Sequence, residues 1–246
     1  MLAGGPGRAR DPGAEPLVPA GGRGHHPTGR REALSGLHPH LLLAEELGPI
    51  DIHLLDLIHK GRLVGRSRVL DAGCGSGRNL VYLLRTGYEV RGVDPDPYRI
   101  GHARAIAAEL RPDLPPENFV EATIEECGLE EEWADLVISN AVLHFADDAA
   151  HFGRMLSATW SHVRPGGLLF CRLATTIGIE EGVIPRGGGR YLLPDASERF
   201  LVDLPALLDW TERLGGALVE PIKSTSVQGL RVMTTWVMER TLGPRP

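Results

Sequence analysis

The run Asp71-Ala72-Gly73-Cys74-Gly75-Ser76-Gly77-Arg78 carries the residue types and spacing of a ligand-binding turn. It follows the apolar pair Val69-Leu70 and precedes a leucine-rich stretch, so it falls where a buried strand turns into a helix. Glycine in such a turn permits positive φ and lets the backbone approach a ligand closely. A dinucleotide fingerprint, Gly-x-Gly-x-x-Gly, cradles a pyrophosphate. Gly73 and Gly75 fit it, but Arg78 stands where its third glycine belongs. An acid at the strand's end, Asp71, repels a pyrophosphate and suits an ammonium group. A second acid, Asp94, ends the strand Arg91-Gly92-Val93-Asp94, 17 residues past Gly77, where a carboxylate accepts both hydroxyls of a ribose. Two acids, a glycine turn and no phosphate signature point to a nucleoside carrying a cationic amino-acid arm.

The elements that must position these residues alternate between strand and helix. Strands are expected over residues 68–71, 89–93, 118–121, 134–140 and 167–173. A helix over 79–86 closes at Gly87. Another begins at Pro97 behind an Asp96 cap, with Ile100, Ala103, Ile106, Ala107 and Leu110 as its buried stripe. A third turns Phe152, Met155, Leu156, Trp160 and Val163 inward. The runs VLDAG, LVISN and LLFCRL are almost continuously apolar, as in strands covered on both faces. That pattern predicts a parallel sheet wrapped by helices. Upstream, Leu37, Leu41, Leu42 and Leu47 share a helix face, and a short helix over 50–58 follows Pro49. Residues 174–200 are rich in glycine and show no helix, which reads as a long functional loop. A helix over 205–214 and two strands, 217–222 and 230–238, complete the chain.

Composition bounds the possibilities. The 246 residues include 31 Gly and 19 Pro, of which residues 1–30 hold eight and five. This predicts a disordered tail over 1–35 and one domain over 36–246. Hydrophobic residues at 42% suffice for a core, and aromatics at 5% make it aliphatic. A net charge of −6 argues against a nucleic-acid partner. Cys74, Cys127 and Cys171 form no CxxC pair, so neither a disulfide scaffold nor a metal site is expected. No apolar run nears the ~18 residues of a membrane span, and the Gly- and Pro-rich start lacks a secretory signal, so the expected location is the cytoplasm.

On VLDAGCGSGRN followed by GVDPD, supported by ADLVISNAVLHF and RPGGLLFCRL, residues 37–240 resemble class I S-adenosylmethionine-dependent methyltransferases. The stretch GRNLVYLLRTGYEV is most similar to the tellurite-resistance and related small-molecule branch. The resemblance implies an α/β, Rossmann-like, doubly wound sheet of seven strands with helices on both faces. The implied order is 3-2-1-4-5-7-6, the last strand antiparallel. It implies S-adenosylmethionine as cofactor and S-adenosylhomocysteine as product. Gly73 and Gly75, with Ala72 in the same turn, would lie against the methionine arm, and Asp71 would face its ammonium together with the Asn140 backbone carbonyl. Asp94 would hold the ribose hydroxyls and Pro95 would flank the adenine. Thr123 stands where the family often carries an Asp for the adenine amino group, and the Ile124 amide would face the ring. Arg78 would pair with the cofactor carboxylate at a helix N-terminus.

In-line transfer from a sulfonium asks the protein to place the acceptor and exclude water. A hydroxyl or carbon acceptor also needs a base. His144, four residues past Asn140, is the candidate, with packing as its alternative role. Arg172 ends the fifth strand on the ligand side, to hold an anionic substrate group or a structural ion pair. The resemblance places His38 and His40 on a helix that lids the site, and Tyr191 lies in a second lid-like segment over 174–202. A small-molecule methyl acceptor is expected, from the shortness and acidity of the chain. Two alternatives stand beside it. One is a non-catalytic protein binding S-adenosylmethionine or S-adenosylhomocysteine as a sensor or partner subunit. The other is a nicotinamide oxidoreductase, disfavoured by Asp71 and the missing glycine. The acceptor atom and the oligomeric state stay open.

Overall fold

A computed structural model describes residues 39–242, with side chains from residue 42 onward. The chain divides into two units, Met1–Leu42 and Leu43–Pro246, and the sheet and site below belong to the second. Helix α1 (Pro39–Leu47) precedes α2 (Ile52–His59), whose Asp51 cap accepts the His53 N–H. The alternating core follows as β1 (Arg68–Ala72), α3 (Leu80–Arg85), β2 (Glu89–Asp94), α4 (Pro97–Leu110), β3 (Phe119–Glu121), β4 (Ala134–Asn140), α5 (Ala149–Ser161) and β5 (Val163–Ala174). The α4 start is the expected one: the Asp96 carboxylate accepts the Tyr98 and Arg99 N–H groups, and Pro97 opens the helix.

Beyond β5 come β6 (Ile184–Gly187), β7 (Arg190–Leu192), β8 (Glu198–Phe200), α6 (Leu204–Arg213), β9 (Gly216–Leu218), β10 (Lys223–Val227) and β11 (Arg231–Arg240). The main sheet runs β10-β11-β5-β4-β1-β2-β3. Its first five strands pair in parallel, β11 lies antiparallel to β5, and β10 antiparallel to β11. Taken in chain order, these seven strands reproduce the expected sequence of neighbours. Leu54, Leu83, Ile100, Ile138 and Phe170 are buried on one face of the sheet, and Phe152, Leu156, Val137, Leu169 and Trp236 on the other. Coverage from both sides is why the central strands carry almost no polar alternation.

Three segments differ from the sequence expectation. The strand expected over 167–173 extends to Val163–Ala174, because it pairs along its length with both β4 and β11. The strand expected over 217–222 is interrupted near Pro221, which has no N–H to give to the ladder. It becomes β9, and β10 resumes the pairing at Lys223; both pieces lie against β11. The long segment 174–202 folds as its own antiparallel sheet, β6-β7-β8, over buried Ala174, Leu193 and Leu201. Its Gly189 has φ +87°, and a Cβ there would sit 2.3 Å from the Phe200 ring, so glycine is the only residue that lets β7 and β8 close. No helix among the described residues is long and apolar enough to cross a membrane.

Candidate cofactor and acceptor site

The carboxyl ends of β1 and β2 meet through backbone hydrogen bonds. The Gly73 and Cys74 N–H groups both donate to the Val93 carbonyl, at 2.8 and 2.9 Å. Gly73 adopts φ +85°, and a Cβ on it would lie 2.3 Å from Val142 Cγ2, so this turn is interlocked with the segment after β4. The Asp94 carboxylate is buried and oriented by the two loops beside it. Its Oδ2 accepts the Gly75 N–H at 2.9 Å and its Oδ1 the Asp96 N–H at 3.0 Å. A cleft of about 460 Å³ opens there. It brings together five predicted residues, Gly73, Asp94, Pro95, Thr123 and Ile124. Val93, Ala122, Val142, Phe145 and Met155 complete an apolar lining that sequence reasoning missed, because single apolar residues carry no motif.

Asp71 is the penultimate residue of β1, and the neighbouring β4 ends at Asn140; in the parallel register Asp71 is the partner of Ile138, two residues before Asn140 on the same face. Among the described residues, the buried side-chain polar atoms without a hydrogen-bond partner are both carboxylate oxygens of Asp71, Ser139 Oγ, both amide atoms of Asn140, Arg172 Nε and Thr235 Oγ1. All belong to the carboxyl ends of β1, β4 and β5 or to the β11 residue paired with Arg172. Burial raises the Asp71 pKa to about 7, with Arg78 and the nearby Asn79 side chain pulling it down and Asp94 pushing it up. A positively charged partner would return that carboxyl to its ionised form.

Asp51, unsuspected from sequence, organises the next layer. Its Oδ2 accepts Arg78 Nη2 at 3.0 Å and Arg172 Nη1 at 2.9 Å, while its own N–H donates to Asn79 Oδ1. Burial opposes the Asp51 charge, but Arg172, the His53 N–H and Arg78 outweigh it, and the carboxyl stays below its ordinary range. The Asn140 amide stands close enough to assist, outside hydrogen-bonding geometry. Arg78, expected opposite the cofactor carboxylate, is engaged with Asp51, and Arg172 is paired with the same acid through Nη1 while its Nε is left unpaired.

His144 departs from the expectation of a proton acceptor. Its ring is buried against Phe145, and Nδ1 accepts the Ala174 N–H at 3.1 Å. The neutral ring therefore carries its proton on Nε2, with the only free lone pair spent on the backbone. Burial, helped by Arg199 and Arg172, lowers its pKa to about 4. Tyr191 lines a second cleft of about 460 Å³ with Phe152, Phe200 and Trp210, and that cleft shares no lining residue with the first. The expectations for His38 and for the side chain of His40 lie outside the described residues.

Residues 70–171 match the family model described as "Methyltransferase domain". A ubiquinone biosynthesis O-methyltransferase of Methylocella silvestris is 38% identical over 103 residues, covering 42% of this chain and 38% of that protein. A tRNA U34 carboxymethyltransferase of Idiomarina loihiensis is 33% identical over 192 residues, covering 75% of this chain and 56% of that protein. The chain thus spans about half or less of the length of these relatives. The crystal structure of Burkholderia thailandensis 1,6-didemethyltoxoflavin-N1-methyltransferase with S-adenosylhomocysteine superposes with a TM-score of 0.55 at 19% identity, covering 84% of this chain and 92% of that one. Residues 70–171 thus match a methyltransferase-domain model, and the chain shares the fold of a methyltransferase solved with S-adenosylhomocysteine. Its residues fit S-adenosylmethionine: a buried acid without a partner for the ammonium, a glycine turn beside it, and a second acid held by backbone N–H groups for the ribose.

Proposed function

We propose that this protein is a methyltransferase that passes the methyl group of S-adenosylmethionine to a small-molecule acceptor. The fully buried carboxylate of Asp71 at the end of β1, which no hydrogen bond among the described residues holds, carries this reading, because burial lifts its pKa to about 7 and a cation seated on it would restore its charge. When bound, S-adenosylmethionine supplies an activated methyl group. Asp71 and the Asn140 carbonyl take the ammonium end, and Gly73 and Gly75, with Ala72, let the backbone run alongside. Asp94 holds the ribose hydroxyls; Pro95, Thr123 and the Ile124 amide border the adenine. These groups fix the direction of the methyl group and need not move protons.

Arg172 serves the acceptor. Tyr191 in the 174–202 segment belongs to its proposed surroundings. His144 acts by packing, which suits an acceptor that is nucleophilic without a base. The acidic balance of the chain supports a small molecule over RNA. The finer likeness to tellurite-resistance enzymes rests on GRNLVYLLRTGYEV alone.

Calorimetric titration with S-adenosylmethionine, S-adenosylhomocysteine and NAD tests the cofactor. Binding of the first two on the order of 10 μM (about −7 kcal/mol), and none of the third, is expected. Absence of adenosyl-ligand binding would overturn the reading, and preference for NAD would replace it with the oxidoreductase. Transfer of labelled methyl to an RNA pool would overturn the small-molecule acceptor. Binding of both adenosyl ligands without transfer to any acceptor would leave a sensor or partner subunit.

A further inference from the structure

We propose that Asn140, Arg172 and Thr235 form a subsite for the carboxylate of the acceptor; this rests on the methyltransferase reading above. In the strand register Arg172 is the partner of Asn140 on β4 and of Thr235 on β11. Residues paired in this way project from the same face of a sheet, side by side. Among the described residues each brings a buried polar atom outside any hydrogen bond: the Asn140 amide, which stands close to the Asp51 carboxylate, Arg172 Nε, and Thr235 Oγ1 on a residue only 6% exposed. Buried polar atoms are paired in the great majority of cases, so a row of three on adjacent strands calls for an external partner. Arg172 Nε and the Asn140 amide nitrogen offer N–H donors and Thr235 a hydroxyl, a set that suits an acceptor-only group such as a carboxylate.

One Asp51 oxygen is shared between Arg172 and Arg78. With the ammonium and carboxylate of the cofactor's arm both counted, the charges of this cluster and Asp71 balance, so the assignment rests on the unpaired donors. Asp71 is the register partner of Ile138, on the same face as Asn140, so the row lies alongside the amino-acid arm of the cofactor rather than its adenine end.

The test uses the full chain saturated with S-adenosylhomocysteine and three carboxylates, 3-hydroxybenzoate, anthranilate and thiosalicylate, each beside its carboxamide. At least one acid is expected to bind roughly tenfold or more tighter than its amide, a gap of about 1.4 kcal/mol. Arg172→Gln is expected to bring that preference below about threefold while S-adenosylhomocysteine affinity stays within about twofold. Thr235→Val guards against misfolding. It removes a buried hydroxyl that has no partner, so it should leave the melting temperature unchanged or raised while weakening acid binding. Equal binding of acids and amides, no binding of any acid, or a preference untouched by both substitutions would overturn the subsite and leave the cofactor reading intact. Failure of S-adenosylhomocysteine itself to bind would overturn both.

Discussion

The two halves of the site are built differently. The cofactor half is assembled from short contiguous segments, 71–78, 94–96 and 122–125, each a loop directly after a parallel strand. Its groups are held by the backbone of neighbouring loops, as where the Gly75 and Asp96 N–H groups fix Asp94. The proposed acceptor half is assembled from β4, β5, β11 and the cap of α2, and its central contact joins Asp51 to Arg172, 121 positions apart. It is held by charge pairs between side chains, with several donors left over. Backbone conformation makes the first half rigid and common to many ligand-binding turns. Side-chain pairing between distant segments holds the second half.

Substitutions can break this contrast, and the largest effect belongs to the rigid half. Gly73→Ala puts a Cβ 2.3 Å from Val142 Cγ2 at φ +85°. It should cost about 2–4 kcal/mol in urea unfolding, and a loss under about 1 kcal/mol would mean the turn and the β4 loop are not interlocked. Asp71→Asn comes next and has two opposite signs. It should stabilise the ligand-free protein at pH 8 by about 1–2 kcal/mol, because a buried charge without a partner is removed. It should weaken S-adenosylmethionine at least tenfold, or about 1.4 kcal/mol.

The pH dependence follows from the same carboxyl. A carboxyl with a folded pKa near 7 and an ordinary value of 3.8 destabilises the ligand-free fold progressively as pH rises between those values. Cofactor affinity should therefore increase with pH up to about 7 in the native protein and lose that slope in Asp71→Asn. A flat native profile would separate Asp71 from the ammonium.

Asp94→Ala should weaken the cofactor about tenfold through two lost ribose hydrogen bonds of ~1 kcal/mol each, read by the same calorimetry. Asp51→Asn keeps a good helix cap and removes only the charge, so a loss of about 1–2 kcal/mol in unfolding would measure the two arginine pairs. An unchanged stability would assign the acceptor half to packing alone. The smallest effect concerns His144. Nitrogen chemical shifts should show a neutral ring protonated on Nε2 across about pH 5–8, given its pKa of about 4. Titration near 6.5 would return it to the role of proton acceptor.

Legibility followed the same division. Asp71, Gly73, Asp94 and Pro95 could be placed at strand-to-loop junctions because apolar runs mark where the strands end, whereas the role expected of Pro95 came from the family resemblance. The alternating strands were read from apolar runs that burial on both faces makes nearly continuous. Asp51 could not be read, since an acid before a helix is already explained as a cap. Arg172 was placed at the right strand end, but its partner depended on where α2 lies. His144 sat at the expected position, while the Ala174 N–H that occupies its lone pair is supplied by another strand. The β6-β7-β8 sheet escaped notice because its strands are three or four residues long and largely unburied.

The sequence by itself determined the alternation of strands and helices and the glycine turn, because hydrophobic period and glycine placement act over a few residues; the strand order was legible only through the family resemblance. Tertiary structure alone decided which charges neutralise one another, which buried donors stay free and that His144 faces the backbone. Those outcomes depend on distances of a few ångströms between segments far apart in the chain, and no local pattern encodes them.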